Sequence, residues 1–495
     1  MSIDAEILKT ERSASWREAL RAGTKNKERI AIERVRMPEL EPAVRVHYQD
    51  REVNRGLNLE DAMREATRCM DCVNPTCIEG CPVSINIPKF VKYIEGGDIL
   101  KAAATLKETN ALPAVCGRVC PQEKQCESRC FYVEKLKKPS VAIGHLERFA
   151  ADYERMSGSC SIPETAAPNH LKVATVGSGP AALSFAGDMV KMGYDVTVFE
   201  ALHEIGGVLK YGIPEFRLPN AIVDFELENL RRMGVKFEKD FIVGRTASFD
   251  DLKAEGFKAF FVASGAGLPR FMDIPGENYN GILSSNEYLT RVNLMGAYLE
   301  GSDTPVLKGK HVAVIGGGNT AMDSVRTALR LGAERAIIVY RRSEVEMPAR
   351  VEEVKHAKEE GVEFMTLCNP VEYFADKNGR VNRMRCNRMG LGEPDASGRR
   401  RPVVIEGSEF DLEVDLVVVA VGVSPNPLVP SCLPGLQVSR WGTIVVDEEK
   451  MQSSIPEMFA GGDIVRGGAT VILAMGDGRR AAEYMDKYLK GTGKA

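Results

Sequence analysis

LKVATVGSGPAALSFAGDMVKMGYDVTVFE, residues 171–200, decides the fold. An apolar, β-branched run (171–176) stops at a glycine-rich turn. A stretch with apolar residues three and four apart follows, and a second apolar run (195–200) closes on Glu200. This order spells strand, helix, strand, the unit of a parallel sheet. The turn reads Gly177-Ser-Gly179-Pro180-Ala181-Ala182. Its first glycine permits the tight turn, and its second lets the backbone approach a pyrophosphate. The third position needs only a small residue for helix–strand packing, and Ala182 suffices. The helix N-terminus offers N–H donors to phosphate. Glu200, ending the next strand, is placed to accept from a ribose hydroxyl.

A second unit of the same form follows: KHVAVIG (310–316), NTAMDSVRTALRLG, then AIIVYRR (336–342). Its turn is Gly316-Gly-Gly318-Asn319-Thr320-Ala321, and Arg341 and Arg342 stand where the first unit carries Glu200. An acid there suits a free 2′-hydroxyl, whereas arginine suits a 2′-phosphate through charge-assisted contacts. The second site is therefore expected to take NADPH. The plainer alternative makes the two arginines a solvated face beside Glu344 and Glu346. Further strands are expected at FKAFFVASG (257–265) and VDLVVVAVG (414–422). Two such sites suggest FAD in the first and a nicotinamide in the second. Ala460-Gly-Gly462-Asp463 supports this, since a strand-end aspartate before glycines suits a flavin ribityl or diphosphate. Gly467-Gly468 and Met475-Gly476-Asp477-Gly478 then precede an expected helix, RRAAEYMDKYL. No cysteine pair follows the first motif through EIGGVLKYGIPEFRLP, so the dithiol of a disulfide reductase is missing and electrons must leave elsewhere.

Eight of the 12 cysteines offer the exit. They are spaced Cys69-x2-Cys72-x4-Cys77-x3-Cys81-Pro82 and Cys116-x3-Cys120-Pro121-x4-Cys126-x3-Cys130. The first run is close to the ferredoxin spacing, in which the cysteine before proline ligates the other of two clusters. Cys81 and Cys120 both precede proline, which hints at two crossed 4Fe–4S sites. Zinc is the alternative, because a two-residue gap is also a zinc spacing. The cluster contains no histidine, however, and zinc would give a flavin no outlet.

The chain has 495 residues, 44% hydrophobic and 27% charged, with net charge -4. The length suggests about three domains. Without a long basic run, nucleic acid is not expected as a partner. No apolar stretch is long enough to span a bilayer, and MSIDAEILKTERSASWREALRAG lacks a secretory h-region, so a cytoplasmic protein is expected. Residues 1–60, with RVRMPELEPAVR, read as an extended arm, whose first 23 residues could alternatively form a short amphipathic helix, 59–150 as helical, and SGSCSIPETAAPN (157–169) as a linker.

These motifs carry a resemblance: CVNPTCIEGCPVSINIP, LPAVCGRVCPQEKQCESRC, VGSGPAALSFA, GGVLKYGIPEFRLP, VIGGGNTAMD and AGGDIVRGGATVILAMGDGR. From about Arg34 onward the chain resembles the small (beta) subunit family of bacterial NADPH-dependent glutamate synthase. It is also similar to the large subunit of NADH-dependent ferredoxin:NADP oxidoreductase and to the N-terminal part of dihydropyrimidine dehydrogenase. The resemblance implies an α/β fold in which a helical double 4Fe–4S domain (1–165) precedes two Rossmann-like domains. The FAD domain (166–290 and 430–495) would hold an inserted NADPH domain (291–429). One cluster would use Cys69, Cys72, Cys77 and Cys130. The other would use Cys81, Cys120, Cys126 and Glu147, leaving Cys116 a non-ligand. Family flavin contacts map onto Glu200, Gly207, Arg217 and Asp463, beside Gly462 and the first turn. The implied function is NADPH oxidation at FAD with single electrons passed to a larger catalytic glutamate synthase subunit. That partner would carry glutamine hydrolysis, since no cysteine precedes Cys69 here. The rival is the electron-bifurcating oxidoreductase, with a smaller flavoprotein subunit and ferredoxin as partners, to which YGIPEFRLP and CIEGCPVSINIP look somewhat closer. A metal-stabilised, non-catalytic scaffold is the alternative of another class.

Overall fold

The computed structural model describes residues 3–492. Lys172–Val176, the strand entering the first glycine turn, lies at the centre of a five-stranded parallel sheet. The order is Met458–Ala460, Phe257–Val262, Lys172–Val176, Asp195–Phe199, Lys236–Glu238. Its central strands are apolar on both faces because helices cover both. The helices Pro180–Lys191 and Val471–Thr492 pack against each other, and Gly478 is what lets them meet. A Cβ at Gly478 would sit 2.2 Å from the Ala181 carbonyl oxygen. The second of these helices starts at Val471, so the Met475–Gly478 stretch lies inside it rather than before it. Its glycines serve close packing here rather than a turn.

The second parallel sheet has the order Ile282–Ser284, Leu416–Val419, His311–Ile315, Arg335–Tyr340, Glu363–Thr366. Ile282–Ser284 pairs with Leu416–Val419, so the inserted unit begins before 282 and the expected boundary at 291 falls too late. A two-stranded link, Leu268–Pro269 with Val423–Ser424, joins it to the first sheet's domain. The unit also carries an antiparallel sheet that the sequence reading missed, built from Cys368–Ala375, Val381–Pro394, Arg400–Val404 and Phe410–Glu413. Register shifts at Pro370/Glu372 and Phe374/Ala375 break the two-residue alternation that would have revealed it.

The cysteine-rich region is helical as expected, with Leu59–Thr67, Ile87–Glu95, Ile99–Lys107, Pro113–Val119 and Ile143–Ser157. The first 60 residues are not an extended arm throughout: Ala5–Arg12, Ser15–Gly23 and Asn26–Ala31 are helices. They are held tertiarily. Arg17 and Arg21 pair with the fully buried Asp71, between Cys69 and Cys72, and Arg12 donates to its carbonyl at 2.7 Å.

Two kinds of joint connect the parts. The cysteine-rich helices and the first Rossmann domain share one apolar core, in which Leu112, Val115 and Leu146 join Ala181, Phe185 and Met475. The inserted domain has its own cores on the two faces of its sheet and is tied on by charge. Arg45 pairs with Glu359 at 2.7 Å and Glu360 at 2.9 Å; Arg217 pairs with Asp323 at 2.7 Å and Glu353 at 3.2 Å. Among the described residues no helix is long and apolar enough to cross a membrane.

Candidate functional site

The first glycine turn opens on a cleft of about 1070 Å³. Gly177 has φ +99°, and a Cβ there would lie 2.6 Å from the Ala263 carbonyl oxygen, so no other residue fits the turn. Gly179 faces open space, and Gly207, at φ +55°, packs its Cα side against Gly179. Pro180 starts the helix at the position where its missing N–H is not needed. Ala181 lines the cleft and Ala182 is fully buried against the sheet. Glu200 also lines the cleft. Its Oε2 accepts from the Ser178 N–H at 3.0 Å and hydroxyl at 2.5 Å, and its Oε1 from the Leu202 N–H at 2.8 Å.

Gly462 and Asp463 close the far wall. Asp463 accepts from the Ala469 N–H at 2.8 Å, and burial pushes its carboxyl up. The loop is anchored by a residue that sequence reasoning passed over. Asp477 is fully buried, accepts from the Gly462 N–H at 3.0 Å and holds Arg466 at 2.7 and 2.6 Å. Its only signal was the glycine on either side. Arg217 lines the cleft too, but its guanidinium is engaged by Asp323 at 2.8 and 2.7 Å. It thus stands where the two nucleotide domains meet. Asn319, Thr320 and Asp323 of the inserted domain, with Ser284 and Glu287 among others, line the cleft from the other side.

In the second turn Gly316, at φ +145°, leaves 2.4 Å between a Cβ and the Ala420 carbonyl oxygen. Gly318 precedes the helix Asn319–Arg330, and Ala321 is buried under it. The Asn319 side chain accepts from the Arg350 N–H at 2.9 Å. The two arginines part company. Arg341 is exposed. Arg342 is buried, donating to the Arg400 carbonyl at 2.8 Å and to Asp395 at 2.8 Å. Glu344 pairs with Lys358 at 2.5 Å and Glu346 accepts from the Ser343 N–H at 3.2 Å, so neither is spent on Arg341.

Cys69, Cys72, Cys77 and Cys130 line one pocket, walled by Ile87, Val91, Tyr132 and Val141. Burial raises the Cys77 thiol well above its ordinary range, and the other three cysteines push it the same way. The second set is equally close-knit. Burial raises Cys126, with Cys81 and Glu147 adding to it. Contact with Cys116 raises Cys120, as do burial and Glu147. Burial lifts the Glu147 carboxyl to about 8, opposed by the Asn110 amide, which donates to it at 2.8 Å. All of these cysteines are free thiols. Two nests of desolvated thiols with no disulfide fit a positively charged cluster, which stabilises the thiolates that burial disfavours.

The helix Val471–Thr492 joins cleft to thiols. Val471 and Ala474 line the cleft. One residue further on, the Met475 sulfur is 3.5 Å from that of Cys116, and a Cβ on Gly476 would lie 2.9 Å from the Pro82 carbonyl oxygen. The Cys81–Cys120–Cys126–Glu147 set is thus on the cleft side.

The family described as "Dihydroprymidine dehydrogenase domain II, 4Fe-4S cluster" matches residues 46–159, and "Pyridine nucleotide-disulphide oxidoreductase" matches 171–478. The glutamate synthase [NADPH] small chain of Azospirillum brasilense is 38% identical over 93% of this chain and 96% of its own. The chain belongs to the glutamate synthase small-chain family. The NADP(+)-dependent formate dehydrogenase subunit beta of Moorella thermoacetica is 40% identical over 84% of this chain and 60% of its own. Among solved structures, Mycobacterium tuberculosis FprA in complex with NADPH shares the fold at 21% identity, covering 66% of this chain and 86% of that one, with TM-score 0.55. This small-chain relative is accordingly an NADPH-dependent FAD and iron–sulfur oxidoreductase, taking FAD, NADPH and two 4Fe–4S clusters. The cysteine-rich module shares its core with the flavin domain, and the nucleotide domain docks through ions.

Proposed function

We propose that this chain is the electron-input subunit of a glutamate synthase, oxidising NADPH and delivering single electrons to a larger catalytic subunit. The observation that carries this is the helix Val471–Thr492, which borders the flavin cleft through Ala474 and the cysteine loops through Met475 and Gly476. Bound FAD supplies the exchange of a hydride for single electrons, which 4Fe–4S clusters require. The chain's residues do the rest. The helix start at Pro180 and the Gly177–Gly179 turn hold the pyrophosphate, Glu200 the ribose, and Gly462 and Asp463 the ribityl side. Gly316, Gly318, Asn319 and Thr320 hold the NADPH pyrophosphate, with Arg341 at the 2′-phosphate. Cys69, Cys72, Cys77 and Cys130 hold one cluster, and Cys81, Cys120, Cys126 and Glu147 the other.

Purified protein should contain about eight iron and eight sulfide per chain. It should oxidise NADPH with an artificial dye, yet make no glutamate from glutamine and 2-oxoglutarate until the larger subunit is added. Glutamate formation by the isolated chain would refute this division of labour. The same input module is compatible with other partners, as the name of the formate dehydrogenase relative indicates. NADH and ferredoxin chemistry with a smaller flavoprotein subunit would favour the bifurcating reading. Failure of NADPH to bleach the flavin would favour a scaffold.

A further inference from the structure

The pocket of Cys69, Cys72, Cys77 and Cys130 lies closer to the surface: three of its four cysteines are half-buried and Cys130 is buried, whereas of Cys81, Cys120 and Cys126 only Cys126 is half-buried. Its rim is apolar and exposed. Val73, next to Cys72, is 67% exposed, and Phe131, next to Cys130, is 38% exposed and lines the pocket. Solitary exposed apolar residues need no explanation, but these two flank the cysteines of one pocket. The surrounding charge has one dominant sign. Arg129 lines the pocket and is exposed. The turn that follows Phe131 folds back on it, with Lys135 N–H donating to the Phe131 carbonyl at 2.9 Å and Lys138 N–H to that of Tyr132 at 2.9 Å. It thereby brings the backbone of Lys135 and Lys138 back beside Phe131 and Tyr132. Lys135, Lys137 and Lys138 are all exposed on this turn, Lys137 Nζ donating to the Glu134 carbonyl at 3.1 Å and Lys138 Nζ to that of Ile30 at 3.5 Å. The nearby exposed or half-buried acids are Glu79 and Glu134, the latter 4.0 Å from Arg129. The buried Asp71 and Glu127 are each paired with arginine, Asp71 with Arg17 and Arg21, Glu127 with Arg34. In a chain of net charge -4 this is a local excess of positive charge.

We propose that this rim is the docking surface for an acidic protein face surrounding a one-electron acceptor. The inference rests on the functional reading above and deepens it by stating the chemistry of the partner. Val73 and Phe131 supply the dry centre over the cluster edge. The cations set orientation and encounter rate, the role charge plays at transient interfaces. The reaction balances: NADPH loses a hydride and leaves as NADP+ with release of one proton, and its two electrons cross the rim one at a time to the acceptor.

The test uses the full cluster-loaded chain and two protein acceptors of opposite charge, rubredoxin (acidic) and cytochrome c (basic), with dichlorophenolindophenol as a small acceptor. At low ionic strength kcat/KM for rubredoxin should exceed that for cytochrome c about tenfold and fall steeply with salt. Lys135→Glu/Lys137→Glu/Lys138→Glu together should remove or invert that preference and leave dye reduction unchanged. The same charge change at Lys308, Lys310 and Lys377, exposed on the inserted domain, should leave the preference intact. Equal or faster reduction of cytochrome c by the native chain would overturn the proposal, as would identical behaviour of the two triple variants. Dye reduction without charge dependence would sink only this inference. Absence of dye reduction would sink the functional reading and this inference with it.

Discussion

Arg341 and Arg342 are adjacent in sequence and divided by the fold. The first is exposed, while the second is buried on the Arg400 carbonyl and Asp395. The chain bends just past the strand Arg335–Tyr340, leaving Arg341 toward solvent and turning Arg342 inward. Arg341→Ala should therefore lower kcat/KM for NADPH about 10- to 100-fold, from the roughly 1.5–3 kcal/mol of a charged hydrogen bond, with NADH hardly affected. Arg342→Ala should lower thermal stability and affect both nucleotides alike. Steady-state kinetics with each nucleotide, beside thermal melts, separates the two. If only Arg342→Ala discriminated between NADPH and NADH, the assignment would be reversed. The basic pair was legible in the sequence, but its division was not, because Asp395 and Arg400 belong to a hairpin whose bulged register hid it.

At the scale of elements, the helix Val471–Thr492 takes on three tasks. It packs on Pro180–Lys191, borders the cleft and touches the Cys81–Pro82 loop. Gly476 and Gly478 would ordinarily weaken a helix interior by about 1 kcal/mol each. They are required because backbone oxygens of Pro82 and Ala181 approach within 2.9 and 2.2 Å of where a Cβ would stand. Gly478→Ala should push the two helices apart, at about 1–3 kcal/mol or more for overpacking against backbone. The expected result is a lower melting temperature and loss of FAD from the purified protein, read from its absorbance ratio. A Gly478→Ala protein with full flavin content and unchanged melting would contradict this packing. Read locally, two glycines around an aspartate look like a turn, and the partners that make them helical lie hundreds of residues away.

For the whole molecule, the two kinds of joint have different sensitivities. The joint between cysteine-rich and flavin domains is mainly an apolar core, crossed by a carboxyl: Glu226, raised by burial to about 7, accepts from the Ala114 N–H at 2.7 Å. The seam of the NADPH domain is ionic. Burial alone would raise the Glu353 carboxyl, but Arg217 and Arg326 outweigh it and hold it at about 2, below the usual 4.5. A carboxylate depressed in the folded state stabilises above its unfolded value and loses that contribution as pH falls toward the folded one. Glu353→Gln should thus cost about 3–5 kcal/mol at neutral pH, as breaking a buried ion pair does. The gap to the parent protein should narrow as pH drops below about 4.5. Denaturant unfolding at several pH values measures this. A pH-independent gap would mean that packing, not charge, holds Glu353.

The glycine turns, the strand and helix periods, Glu200, Asp463 and the cysteine spacings were all readable from the chain alone. Each is a local signal: a period, a turn needing a missing Cβ, or ligands a few residues apart. The bulged antiparallel sheet, Asp477 beneath Gly462, Asn110 on Glu147 and Arg217 between two domains were decided only by the tertiary structure. The reason is physical. A buried charge or amide is tolerated only where a partner meets it, and those partners come from distant parts of the chain that sequence spacing does not bring together.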